Sequence, residues 1–154
     1  MKHNPFKTII AAGLTAALLD IAGAIIVYAF ILEVTTAQRV LQSVAAGALG
    51  KEAYTGGWFT ALAGLGFHTL IALSFAAFYY FLYPYWKKVF TNKWLAGFVY
   101  GCAVWAVMNL GVLPIVSGKP YVFNLKFFLY GTGLIIFMVG IPIALVTGKM
   151  RRTN

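Results

Sequence analysis

Asp20 and His68 are the side chains of this sequence best placed to hold or pass a proton, because each lies deep in an apolar stretch. Asp20 sits inside "AALLDIAGAII", residues 16–26, where almost nothing else is polar. Inserting a carboxylate into hydrocarbon costs roughly 3 kcal/mol on translocation scales, so something must justify or relieve it. Burial alone favours the neutral forms of both an aspartate and a histidine, whereas mutual proximity favours the ion pair. In either state the two could relay a proton or form the polar floor of a substrate cavity. Asn109, the third candidate, is a neutral amide that could support them from a neighbouring helix if the bundle is open to water on that side. The alternative is that all three join helices by hydrogen bonds, worth about 0.6 kcal/mol each in a membrane.

Other chemistry finds little to work with. His3 is the only other histidine, which leaves no bis-histidine haem site within the chain, and Met108 or Met138 would be a poor substitute. A zinc site needs three or four ligands, and the apolar runs offer only Asp20 and His68. Ser43, Ser74 and Ser117 lack an acid-base partner within reach by sequence, so nucleophilic catalysis has no support. The glycines fall at packing positions rather than in a phosphate-binding loop. Cys102 is alone, with no disulfide partner. The expectation is therefore no enzyme activity, no cofactor and no bound metal.

The elements that would position Asp20 and His68 follow from composition. The chain is 62% hydrophobic and 10% charged, with a mean hydropathy of +0.85, whereas a soluble domain carries about 25% charge. The expectation is an all-α integral membrane protein, one domain over residues 1–154. Four apolar runs are long enough to cross a bilayer as helices, near residues 8–32, 57–83, 94–116 and 124–147. The first begins after a basic "MKHNPFK", and Ala22-Gly23-Ala24 resembles a signal cleavage site. Its apolar stretch continues to Leu32, too long for a signal core, so we read it as a retained helix.

The formal net charge of +9 would suggest nucleic acid in a soluble protein. Here the basic residues flank apolar runs, where they meet anionic headgroups instead. Eight of them (Lys2, Lys7, Lys87, Lys88, Lys93, Lys149, Arg151 and Arg152) fall on one side, against Arg39, Lys51, Lys119 and Lys126 on the other. The excess places both termini in the cytoplasm.

Between the first two spans, Val40, Leu41, Val44, Ala45, Ala48 and Leu49 recur at helical spacing, with Gln38, Arg39 and Gln42 off that stripe. This predicts a short amphipathic external helix over residues 36–50, capped by Thr35 or Thr36 and closed by Gly50. It could lie on the membrane, cover the bundle or bind a partner.

Helical spacing also predicts which faces are buried. Ala12, Ala16, Asp20, Ala24 and Tyr28 form one line, and Thr60, Gly64, His68, Ala72, Ala76 and Tyr80 form another. Gly97, Gly101, Trp105 and Asn109 form a third. Small residues let helices approach closely in lipid. At 1.5 Å per residue, Asp20 and His68 both come out roughly 16 to 18 Å deep on antiparallel helices, with Asn109 roughly 10 Å from the outer surface. A hydrogen-bonded Asp20–His68 pair is the expectation.

The stretches "HTLIALSFAAFYY", "KWLAGFVYG" and "NLGVLPIVSGKPYVF", residues 68–80, 93–101 and 109–123, resemble the YagU-like family of bacterial inner-membrane proteins. The likeness lies in a histidine opening a Ser/Phe/Tyr-rich helix, a Leu-Ala-Gly helix start, and a Leu-Pro followed by a Pro-containing loop. It implies a small polytopic protein of the bacterial cytoplasmic membrane and supplies no mechanism. Two functions remain in view: transport or ion and proton conduction through a homo-oligomeric bundle, and a non-catalytic accessory or scaffold subunit of a larger membrane complex. The partners expected are membrane lipids and either further copies of the chain or that complex, with no nucleic acid.

Overall fold

The computed structural model describes residues 4–118 and 120–151. Lys2, His3, Lys119 and Arg152, used above for charge and ligand arguments, lie outside the described residues. Among the described residues there are five helices and no strand. They are α1 (Pro5–Ile31), α2 (Ala37–Leu49), α3 (Gly57–Val89), α4 (Lys93–Ser117) and α5 (Leu125–Met150). All but α2 are long and apolar enough to cross a membrane.

Local chemistry sets the helix starts. The side chains of Asn4, Thr36, Asn92 and Asn124 each accept a hydrogen bond from a backbone N–H of the first turn that follows, satisfying donors that the helix cannot. Gly50 closes α2 with φ of 67°, a conformation open to glycine at no steric cost.

Three helices also widen into a π turn, at Ile26–Ile31, Val107–Val112 and Ile135–Gly140. The last two stop two residues short of Pro114 and Pro142. A proline lacks an N–H and crowds the carbonyl four residues earlier, so the preceding turn relaxes to a wider one.

α3 departs from the expected 57–83 by running through Pro84 to Val89. A proline usually ends a helix because the carbonyl four residues earlier loses its donor. Here that carbonyl is Tyr80's, and Arg151 at the end of α5 fills the gap: its Nη1 donates to Tyr80 O at 2.9 Å. The guanidinium also stacks over the rings of Tyr80 and Tyr83, at 4.6 and 5.0 Å.

The four long helices are antiparallel in sequence order. One end, here the tail end, carries Pro5, Met150 and the short α3–α4 turn. The other, the lid end, carries α2 and the α4–α5 connection. α1 packs against both α3 and α5, and α4 packs against α5.

The predicted small-residue lines make these seams. Ala12 and Ala16 of α1 join Ala76 and Tyr79 of α3, Tyr100 and Val104 of α4, and Val139, Ile143 and Ala144 of α5 in one core. The α4–α5 seam admits no side chain at Gly101, where a Cβ would lie 2.7 Å from Ile136 Cα.

α2 covers the lid end and rests on α3, its Leu41 carbonyl occupying the space a side chain at Gly64 would need. Its far edge reaches the end of α4, where Gly47 faces Val116. The sequence placed Gln42 off the buried stripe. In the structure it is 2% exposed, its Nε2 donating to Gly57 O at 2.9 Å and to Thr60 Oγ1 at 3.2 Å. Gly57 opens α3, where the backbone turns with φ of 59°, so the Gln42 amide ties α2 to the first turn of α3, beside the Thr60 hydroxyl that also reaches Gly57 O at 3.1 Å.

Candidate functional site

Asp20 and His68 meet where the core ends. On α1 the fully buried Ala12 and Ala16 are followed one turn later by Asp20. On α3 the buried Ala76 and Ala72 lead back to His68. The alanines bring α1 and α3 close, and the next residue on each line is polar. Beyond this level, toward the lid end, no residue of α4 after Val104 and none of α5 before Ile136 is fully buried.

His68 Nε2 lies 3.2 Å from the backbone carbonyl of Ala17 and 3.7 Å from Asp20 Oδ2. A carbonyl only accepts, so Nε2 carries the hydrogen in this arrangement. The 3.7 Å separation is ion-pair contact but too long for a hydrogen bond. The expected Asp20–His68 hydrogen bond is thus replaced by one from His68 to Ala17, because Ala17 lies three residues before Asp20 on the same face and its carbonyl reaches the ring first. The single N–H stands between two acceptors.

Both side chains keep some access, 15% for His68 and 19% for Asp20. The carboxylate can take a proton and the imidazole can hold one, and the protein encloses neither side chain completely. Tyr28, two turns beyond Asp20, packs its ring on Phe127 of α5 at 6.3 Å.

The structure does not join Asn109 to the pair. It lies within the Val107–Val112 π turn of α4, and its Nδ2 donates to Trp105 O at 3.1 Å in its own helix. A π turn leaves local carbonyls poorly matched to the ladder, and the amide supplies a donor there. Among the described residues, no group of three or more His, Cys, Asp or Glu side chains comes together.

Three cross-helix bonds at the tail end were not foreseen. Tyr100 Oη donates to Phe75 O at 2.7 Å, Trp86 Nε1 donates to Ala96 O at 3.3 Å, and Arg151 donates to Tyr80. The first two bridge α3 and α4 beside the edge-on Tyr79–Tyr100 ring pair at 4.7 Å. Only the Arg151 bond had a signal in the sequence: a proline within an apolar run long enough to stay helical advertises an open carbonyl one turn earlier.

Comparison of the chain with family models, with curated proteins and with solved structures finds no match.

Proposed function

We propose that this chain is a small multi-pass protein of a bacterial cytoplasmic membrane that conducts protons or a small cation, with Asp20 and His68 on the pathway and both termini in the cytoplasm. The observation that carries the reading is the position of the pair. The tightly packed core stops at Asp20 and His68, and both side chains remain accessible at that boundary. A carboxylate kept for structure would be expected to make its hydrogen bonds, since an unsatisfied buried charge is costly. Asp20 stands 3.7 Å from its nearest cation-forming partner, which is bonded elsewhere.

Four helices enclose little volume by themselves, so the working unit in this reading is a homo-oligomer, and the protein is not an enzyme. The accessory reading has one observation in its favour. Val122 and Phe123 in the α4–α5 connection are 80% and 63% exposed outside any helix, where a larger complex could cover them.

Reconstituted wild-type protein should dissipate an imposed pH gradient, and Asp20→Asn should reduce that flux about a hundredfold, the loss expected when a general acid–base group is removed. His68→Gln should slow it less, because glutamine still donates to the Ala17 carbonyl. Wild-type flux no greater than that of protein-free liposomes would sink the conduction reading. A partner co-purifying with wild type but lost in a Val122→Ser, Phe123→Ser variant would favour the accessory one.

A further inference from the structure

We propose that the three tail-end bonds, Tyr100 to Phe75, Trp86 to Ala96 and Arg151 to Tyr80, form a gate that closes the Asp20–His68 pair off from that end, with Arg151 as its releasable latch. The proposal rests on the reading that the pair lies on a conduction pathway.

α3 is held to α1 by close backbone packing, Gly13 lying so near Leu73 that a Cβ there would come within 2.9 Å of its Cα. α4 and α5 form a second tight pair through Gly97, Gly101 and Gly140. Between α3 and the α4–α5 pair the bridges are of another kind. They are long side chains reaching single backbone carbonyls, and all three lie on the tail side of His68. Such contacts break by rotating a side chain, whereas the glycine seams cannot part without moving whole helices.

Arg151 is the natural member to release. The Tyr80 carbonyl accepts it because Pro84, four residues on, has no N–H to offer. Proline also leaves α3 free to bend at this point. The latch and the hinge are the same place in the chain, so losing Arg151 loosens α3 where it can move. Tyr80 and Tyr83 stack on the guanidinium and hold it flat, a geometry that a lysine ammonium cannot reproduce.

The test uses full-length protein in proteoliposomes of known orientation. Cys102 is replaced by alanine, and Met108→Cys, on α4 one turn beyond Val104 and packed on the core, serves as reporter. A membrane-impermeant maleimide applied from the tail side should label the reporter slowly. Tyr100→Phe combined with Arg151→Gln should raise the rate about tenfold or more, the shift expected from losing hydrogen bonds of ordinary strength. Pro84→Ala supplies the missing N–H to Tyr80 and removes the hinge, so it should keep labelling slow, and adding Arg151→Gln to it should raise the rate far less than Arg151→Gln does in wild type.

Unchanged tail-side labelling in the Tyr100→Phe, Arg151→Gln protein overturns the gate. Arg151→Gln raising the rate as much in the Pro84→Ala background as in wild type overturns the latch. Should Arg151→Gln fail to assemble, Arg151→Lys keeps the charge and is expected to open the gate as well. Proton flux through the same vesicles separates the two ideas. Labelling that rises while flux stays at the protein-free level supports the gate and sinks the pathway, and Asp20-dependent flux with flat labelling does the reverse.

Discussion

The tail half and the lid half of this bundle are built from the same helices but hold together differently. In the tail half, alanines and glycines bring backbones into contact, and tyrosines and a tryptophan fill the remaining space between α3 and α4. In the lid half, α4 and α5 widen into π turns, bury no residue fully beyond Val104 and before Ile136, and leave α2 to cover α3. The ionisable pair sits on the border. The core shared by all four long helices is therefore confined to the tail side, while the lid side is closed by α2 on α3.

The comparison is broken most severely by filling a seam in the tail half. Gly140→Leu would force a side chain against the backbone of Gly101, whose N and Cα already lie within 2.6 Å of the Cβ position. Overpacking of this kind costs about 3 kcal/mol, and more where backbone must move. The expected result is loss of a monodisperse peak in detergent or a large drop in thermal midpoint. The same change at Gly133, which has nothing within 4 Å of a Cβ, should be tolerated. Equal damage at both positions would show that the halves do not differ in packing.

A smaller effect is expected from the lid. Gln42→Leu removes the amide that ties α2 to Gly57 O and Thr60 Oγ1, although the Thr60 hydroxyl stays within reach of Gly57 O at 3.1 Å and Ala53 O at 2.6 Å. Losing hydrogen bonds of this kind costs about 1 kcal/mol. The loss should fall on α2 alone, read as faster hydrogen exchange over residues 37–49 with the core of α1, α4 and α5 unchanged. Exchange that accelerates throughout would mean that α2 is integral to the bundle rather than a cover over it.

Much of this architecture was legible in the sequence, and the reason is periodicity. The lines through Ala12 and Ala16, through Gly64, Ala72 and Ala76, and through Gly97 and Gly101 all lie on buried faces, because small residues four apart share a face whatever they pack against. Gln42 was misplaced for the complementary reason. A hydrophobic stripe records which residues avoid water, not which polar side chain finds a partner, and Gln42 meets Gly57 O and Thr60 Oγ1 only once α2 has docked on α3. The apolar run read as 57–83 continues as helix to Val89 because the arginine that supplies the Tyr80 carbonyl lies 71 residues farther along the chain, beyond any local pattern. Asp20 and His68 could be paired by depth and antiparallel topology. That His68 would bond the Ala17 carbonyl instead depends on sub-ångström helix placement, to which residue types are blind.

The smallest expected effect sharpens the comparison most, because it concerns the border itself. A double-mutant cycle of Asp20→Asn and His68→Gln measures how strongly the two side chains hold each other. At 3.7 Å, with the histidine N–H bonded to Ala17, the coupling should be about 0.6 kcal/mol, the average for polar contacts between membrane helices. Asp20→Asn alone should leave stability unchanged or slightly raised, since the amide sheds the cost of a partly buried carboxylate and retains hydrogen-bonding capacity. Sites kept for activity commonly gain stability when neutralised in this way. A coupling of about 3 kcal/mol would instead place the pair among buried ion pairs whose breakage exposes an uncompensated charge. Asp20 would then belong to the tail half's packing, the border would move toward the lid, and the main motive for a proton pathway would be gone.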